Sequence, residues 1–286
     1  MLEHISICLV ALYLRGLPRP FATVRRRWVG LVSTLRNSDC SVDGLSEVLA
    51  SKGYADEAMA ISSIETINMA TELVGSKKVL SAVDSHYPKR WLERLGDAAP
   101  PALWMTGEMP EKPLIGIVGS RHIEPDVRLF AKGIGAESVR LGYSVVSGGA
   151  IGCDRAGASG ALDEGGQVLE ILPYGIDNYA ETDRCALSVC SPDEGFSTPS
   201  AMERNTLIYA ASEQTVVVHA RFKEGGTWIG AAQANRRHLC QLVIREDGSP
   251  ASRALIGLGG TPIQEPTLLA EALANPPMQR GLFGIG

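Results

Sequence analysis

None of the six cysteines (Cys8, Cys40, Cys153, Cys185, Cys190, Cys240) falls in a C-x-x-C pair. Zinc spacings and a small disulfide framework are therefore missing, and no metal set is expected. No secretory signal is legible, so reduced thiols and a cytoplasmic chain are expected. The apolar run "ISICLVALYL" is ten residues long, too short to span a bilayer, and Glu3 stands where a signal peptide would be basic. It reads as a buried helix, and no membrane contact is expected. Positive charge is not in excess: 27 Lys and Arg stand against 32 Asp and Glu, a formal net charge of −5. Phosphate-binding domains are usually basic, so any contact with nucleic acid must come from a local groove. Neither G-x-G-x-x-G nor a Walker A sequence follows the first strand, which argues against dinucleotide binding and ATP hydrolysis. No internal repeat is present.

What remains is an ordinary globular composition, 45% hydrophobic over 286 residues, enough for a substantial core and a smaller appended unit. Residues 1–75 read as an N-terminal helical domain, with apolar residues at helical spacing in "GLSEVLASKG" and "DEAMAISSIETINMATELVG" and glycine stops at Gly53 and Gly75. Arg25-Arg26-Arg27 reads either as a solvated helix face or as a phosphate contact. Residues 76–260 form the main domain. An extended lead-in gives way to strands "LIGIVGS", "YSVVSGG", "QVLEILPYG", "QTVVVHA" and "CQLVIRE", alternating with helices. Apolar strands alternating with helices predict an α/β fold with a mainly parallel sheet and helices on both faces. Residues 261–286 are proline-rich and read as a flexible tail.

Two small-residue turns stand out, Gly119-Ser120-Arg121 and Ser147-Gly148-Gly149-Ala150 with Gly152 behind it. Each ends a predicted strand and precedes a helix. There, free backbone N–H groups and the helix dipole favour an anion, and Arg121 adds a planar fork for phosphate. The sequence predicts one anion pocket built from both turns, with Arg121 as its main cation and Arg204 near its rim. A third turn, Gly225-Gly226-Thr227, also precedes a helix, and Glu203, Arg204 and Asn205 lie near a helix start. Asp154, Asp177 and Glu203 are the acids nearest these turns. Such an acid can act as a general base or hydrogen-bond a ribose hydroxyl. Asp154 and Glu203 are the candidate ribose or base contacts, and a helix N-cap is the alternative for Asp154.

Taken in order, "YPKRWLERLGDAAPPALWMTGEMPEKPLIGIVGSR", "SGGAIGCDRAGASGAL", "GGQVLEILPYGID" and "ERNTLIYAAS" resemble the DNA-processing protein A family (DprA, also called Smf). The resemblance covers about residues 80–245. It implies an extended Rossmann-like domain that binds single-stranded DNA, forms a homodimer and helps load the RecA recombinase. No catalytic residue and no cofactor are implied. The winged helix that ends many relatives is not evident. Where the family has a lysine in a Tyr-Pro-Lys segment, this chain has Tyr179-Ala180-Glu181, and the family's Arg-Asn-Arg becomes Arg204-Asn205-Thr206.

A second resemblance, to nucleoside monophosphate phosphoribohydrolases and nucleotide-sensing defence domains, rests on "EGGTWIGA". The hydrolase glutamate is missing there, because Gly230 and Ala231 follow. Finally, Gln279, Leu282 and Phe283 fit the Q-x-x-L-F form that resembles peptides binding the bacterial sliding clamp.

Overall fold

The computed structural model describes residues 2–14, 34–35, 42–76 and 78–274. Arg25-Arg26-Arg27 and the segment carrying Gln279, Leu282 and Phe283 lie outside the described residues. The chain divides into two compact units. The first is Met1–Thr106 with Tyr174–Tyr179 and Leu187–Gly195, and the second is Gly107–Pro173, Ala180–Ala186 and Phe196–Gly286.

In the first unit, α1 (Leu2–Leu14) is the apolar run, and Cys8 through Leu12 are fully buried. A helix apolar on all sides must sit inside a core rather than on a surface. Helices α2 (Val42–Ser51), α3 (Ala55–Ile61) and α4 (Ile64–Gly75) follow. Ser63 caps α4 by accepting from Thr66 N at 3.3 Å. The unit continues past residue 75 through β1 (Val79–Ser81), α5 (Lys89–Leu95) and β2 (Ala102–Thr106). β1 and β2 pair antiparallel, and Val79, Leu80 and Leu103 are buried. Tyr87 stands edge-on to the buried Trp91, with centroids 5.8 Å apart, and donates to Pro100 O at 2.6 Å. The two later segments are stitched in by hydrogen bonds. Tyr13 Oη donates to Val189 O at 2.9 Å and to Cys190 O at 3.2 Å. Gly175 N donates to Glu194 O at 2.8 Å, and Asp177 N to Pro192 O at 2.9 Å.

The second unit alternates strand and helix: β3 (Leu114–Gly119), α6 (Pro125–Arg140), β4 (Ser144–Ser147), α7 (Cys153–Asp163) and β5 (Val168–Leu172). A four-residue strand, β6 (Cys185–Ser188), carries the chain back to the first unit. Then come α8 (Thr198–Ala211), β7 (Gln214–His219), α9 (Gly225–Arg236), β8 (Gln241–Arg245), α10 (Pro250–Gly257), β9 (Thr261–Ile263) and α11 (Leu269–Ala274). Six strands run in the order β5-β4-β3-β7-β8-β9, and every pair among them is parallel. From β3 the chain winds outward to β5, and from β7 it winds the other way to β9. Right-handed crossovers therefore place α6 and α7 on one face and α9 and α10 on the other. The expected mainly parallel α/β sheet is what forms.

One face buries Ile115, Ile117, Val145, Val216 and Val243 against Val127, Phe130 and Ile134 of α6 and Ala158 and Ala161 of α7. α6 and α7 approach at backbone distance. A Cβ built on Gly160 would lie 1.9 Å from Lys132 O, and one on Gly135 would lie 1.9 Å from Gly157 O.

Residues 261–274, expected in the flexible tail, are ordered. β9 extends the sheet through Val243↔Thr261 and Ile244↔Pro262, while Ile263, Leu269 and Ala272 join the core. Proline content misled here. Pro262 lies on the sheet's edge strand, where a missing N–H costs little, and the Pro266 ring fills the space over Gly133. Among the described residues, no helix is long and apolar enough to cross a membrane.

Candidate functional site

The winding changes direction between β3 and β7, and the crevice beyond the carboxyl ends of strands at such a reversal is where open α/β sheets bind ligands. A cavity of about 520 Å³ opens there. Its walls are the ends of β3 (Val118–His122) and β7 (His219, Arg221), the inner face of α8, and the turn that starts α9.

Most of the residues singled out by the sequence converge on this cavity. Gly119, Ser120, Arg121, Ala150, Asp154, Arg204, Asn205, Gly225, Gly226 and Thr227 line it. Ser147, Gly148, Gly149, Gly152 and Glu203 are not among its lining residues. The pocket thus joins the first turn to the third, and the second turn stands behind it.

Asp154 explains this arrangement. It is buried at the start of α7 and accepts from Gly119 N at 3.3 Å through Oδ1 and from Gly148 N at 3.0 Å through Oδ2. The carboxylate fastens the two turns to each other and uses N–H groups that the sequence reading assigned to a ligand. Ser120 N likewise donates to His219 O at 3.0 Å, and Gly149 N to Ser147 Oγ at 3.3 Å. Burial pushes the Asp154 carboxyl up to about 6, against the pull of the Arg204 guanidinium and the two N–H groups.

Arg204 lies 5% exposed at the back of the cavity rather than at its rim. Its Nη1 donates to Ile171 O at 3.2 Å, and the guanidinium lies flat on the second turn. A Cβ on Gly148 would sit 1.4 Å from that nitrogen, so only glycine leaves room for it. Gly152, at φ +97°, brings the chain under Ser120 O. The second turn is therefore a seat for Arg204 and Asp154.

Arg121 is different. It is exposed, its guanidinium carbon stands 5.5 Å from the centroid of the Phe196 ring, and no carboxylate among the described residues pairs with it. Cation–π packing holds the side chain without neutralising it. Across the cavity, α9 starts at Gly225 with no side chain capping its first N–H groups, which leaves the positive end of the helix open. Asn205 Nδ2 reaches Gly226 O at 3.4 Å and ties that turn to α8. A cavity with an unneutralised arginine, a buried arginine and an open helix start suits a phosphate.

Glu181 replaces a cation rather than supplying one. It lies 3.7 Å from both Arg155 and Arg184. Arg184 is itself held by Glu170 at 2.9 Å and Asp183 at 2.8 Å. Phe196, His122, His219 and Arg221 also line the site and were missed in the sequence. Arg221 had a readable signal, its position just past a strand end before a glycine turn, whereas Phe196 belongs to no motif.

Replacing Asp154 by Asn removes one acceptor and aims an amide NH2 at a backbone N–H. Asp154→Asn should cost about 1–3 kcal/mol at pH 7, read by urea unfolding. Because the folded carboxyl titrates near 6 and an unfolded one near 3.9, the native state holds the proton more tightly. Titration of Asp154 thus adds stability that is full below about pH 4 and lost as pH rises to about 6, so the gap between wild type and variant should narrow across that window to the hydrogen-bond cost that remains at pH 7. A gap that widens there would contradict the burial argument.

The fold and the pocket define a Rossmann-like α/β protein with an anion-suited cavity where its strand order reverses. Residues 78–271 match the model of the DNA recombination-mediator protein A family, and the chain belongs to that family. It is 25% identical over 162 residues to protein Smf of Borreliella burgdorferi, a match covering 52% of this chain and 51% of Smf. The chain therefore spans about half the length of that curated relative. Its fold matches DNA processing protein A of Streptococcus pneumoniae, with a TM-score of 0.68, 20% identity and coverage of 90% of this chain and 96% of the other. It also matches that of Helicobacter pylori, which has a described single-stranded DNA binding mode, with a TM-score of 0.58, 21% identity and coverage of 68% and 94%.

Proposed function

We propose that this cavity holds a backbone phosphate of single-stranded DNA, with Arg121 as the principal contact, Arg204 behind it and the α9 start opposite. The observation that carries the reading is Arg121, exposed, lining the cavity over Phe196 and without a carboxylate partner among the described residues. A flexible single strand can bend a phosphate into a concave site that a stiff duplex cannot enter. With a net charge of −5, attraction to DNA must come from a local cationic site such as this one. As the family resemblance implies, the bound strand is passed to RecA by a homodimer in the cytoplasm, in recombination, DNA uptake or defence. The Gln279, Leu282 and Phe283 segment is a proposed contact for the sliding clamp.

The test is a titration of the full chain against oligo-dT, duplex DNA and a panel of nucleoside monophosphates across salt concentrations. Oligo-dT should bind more tightly than duplex, with log affinity falling linearly in log salt at roughly −0.7 per phosphate neutralised. Tight mononucleotide binding with poor DNA affinity would replace this reading with a nucleotide sensor. Release of free base from a monophosphate would instead support the phosphoribohydrolase, although Glu203 is not among the residues lining the cavity.

A further inference from the structure

Just past the end of β7, Arg221 and Glu224 form an isolated antiparallel bridge, closed by Glu224 N donating to Arg221 O at 3.1 Å. The two residues between them are Phe222 and Lys223. Lys223 adopts φ 60°, and among the described residues only one other non-glycine, His238, has positive φ. A lysine gains nothing locally from that conformation, which disfavours any side chain with a Cβ. Beside it, Phe222 is 42% exposed. Trp228, on the first turn of α9, meets that ring edge-on with centroids 5.0 Å apart and planes at 73°. Lys223 Nζ stands 5.1 Å from the Phe222 centroid. Arg221 and Glu224, on either side, both line the cavity. The result is an exposed aromatic residue, met edge-on by an indole and with the Lys223 ammonium over its ring, next to two residues that line the phosphate pocket.

We infer that Phe222, braced by Trp228, is a stacking platform for one nucleobase of the strand whose phosphate occupies the cavity. This rests on the single-stranded DNA reading and adds to it a base subsite. The charge pattern favours a base carried on a phosphodiester over an apolar peptide, because Lys223 lies over the ring and the adjoining pocket carries Arg121, Arg204 and Arg221. The Arg221–Glu224 ion pair is exposed at 3.7 Å and holds Arg221 only weakly, so a phosphate can recruit it. A stacked base accepts any sequence, since every base offers a π face.

The test compares oligo-dT with an abasic oligonucleotide of equal length, using the full chain. Wild type should prefer oligo-dT by about fivefold or more. Phe222→Ala should lose that preference while keeping the abasic affinity and the salt slope, and Phe222→Trp should retain it. Oligo-dT should also quench tryptophan emission in wild type and not in Trp228→Phe, a readout independent of whether Phe222→Ala folds. An unchanged preference in Phe222→Ala, or equal loss of both strands, would overturn the platform alone. A wild-type chain that binds neither strand would overturn the DNA reading beneath it.

Discussion

Arg121→Ala should weaken oligo-dT binding by about 1–3 kcal/mol, or roughly 5- to 150-fold, because a charge-assisted contact is removed. The loss should be uniform across DNA sequences, since phosphate contacts position a strand without reading its bases. The salt slope should fall by about 0.7 with it, as one fewer counterion is released. Thermal stability should barely change, because the side chain is exposed and rests only on Phe196. Arg121→Lys separates charge from shape. A lysine restores the slope, but it lacks the planar fork and should restore only part of the affinity. Equal affinity and equal slope for wild type and Arg121→Ala would leave the cavity without its proposed role.

Gly160→Ala should be strongly destabilising although it lies away from the pocket. The new methyl would meet Lys132 O at 1.9 Å, and the obstacle is backbone in the middle of α6, which cannot rotate away. The two helices must separate, loosening Ile134 and Ala161 in the core beneath. A cost of about 3 kcal/mol is expected, lowering the melting temperature by roughly 10 °C. Oligo-dT affinity measured well below that temperature should be unaffected. A melting temperature within a degree of wild type would mean that the helices separate readily.

Much of the second unit was legible because its strands are apolar runs bounded by glycine. "LIGIVGS", "YSVVSGG" and "QTVVVHA" each contain the strand that forms, β3, β4 and β7. Short elements escaped. β6 has four residues and no turn signal of its own, and β9 holds Pro262, which reads as a breaker until its edge position is known. The site was half legible. Glycine turns at strand ends marked the right end of the sheet, but a glycine that admits a ligand and one that admits a neighbouring arginine look the same in sequence. Gly148 is the second kind. The carboxylate that uses the turn N–H groups comes from Asp154, six residues beyond Gly148 and thirty-five beyond Gly119, and that reach is set by tertiary structure.

The first unit is assembled from three stretches of chain, the last ending at Gly195. As the polypeptide leaves the ribosome from its N-terminus, α1 is made early, yet the carbonyl partners of Tyr13 at Val189 and Cys190 come almost two hundred residues later. The opening helices can pack on one another, but the Tyr13 hydroxyl must wait for its carbonyl partners while β3 to β5 are synthesised. A stalled nascent chain ending near residue 150 should therefore be protease-sensitive in its first hundred residues, and one ending beyond about residue 230 should not. The order of synthesis and the order of completion differ in this chain, and its N-terminal half is finished by residues from its C-terminal half.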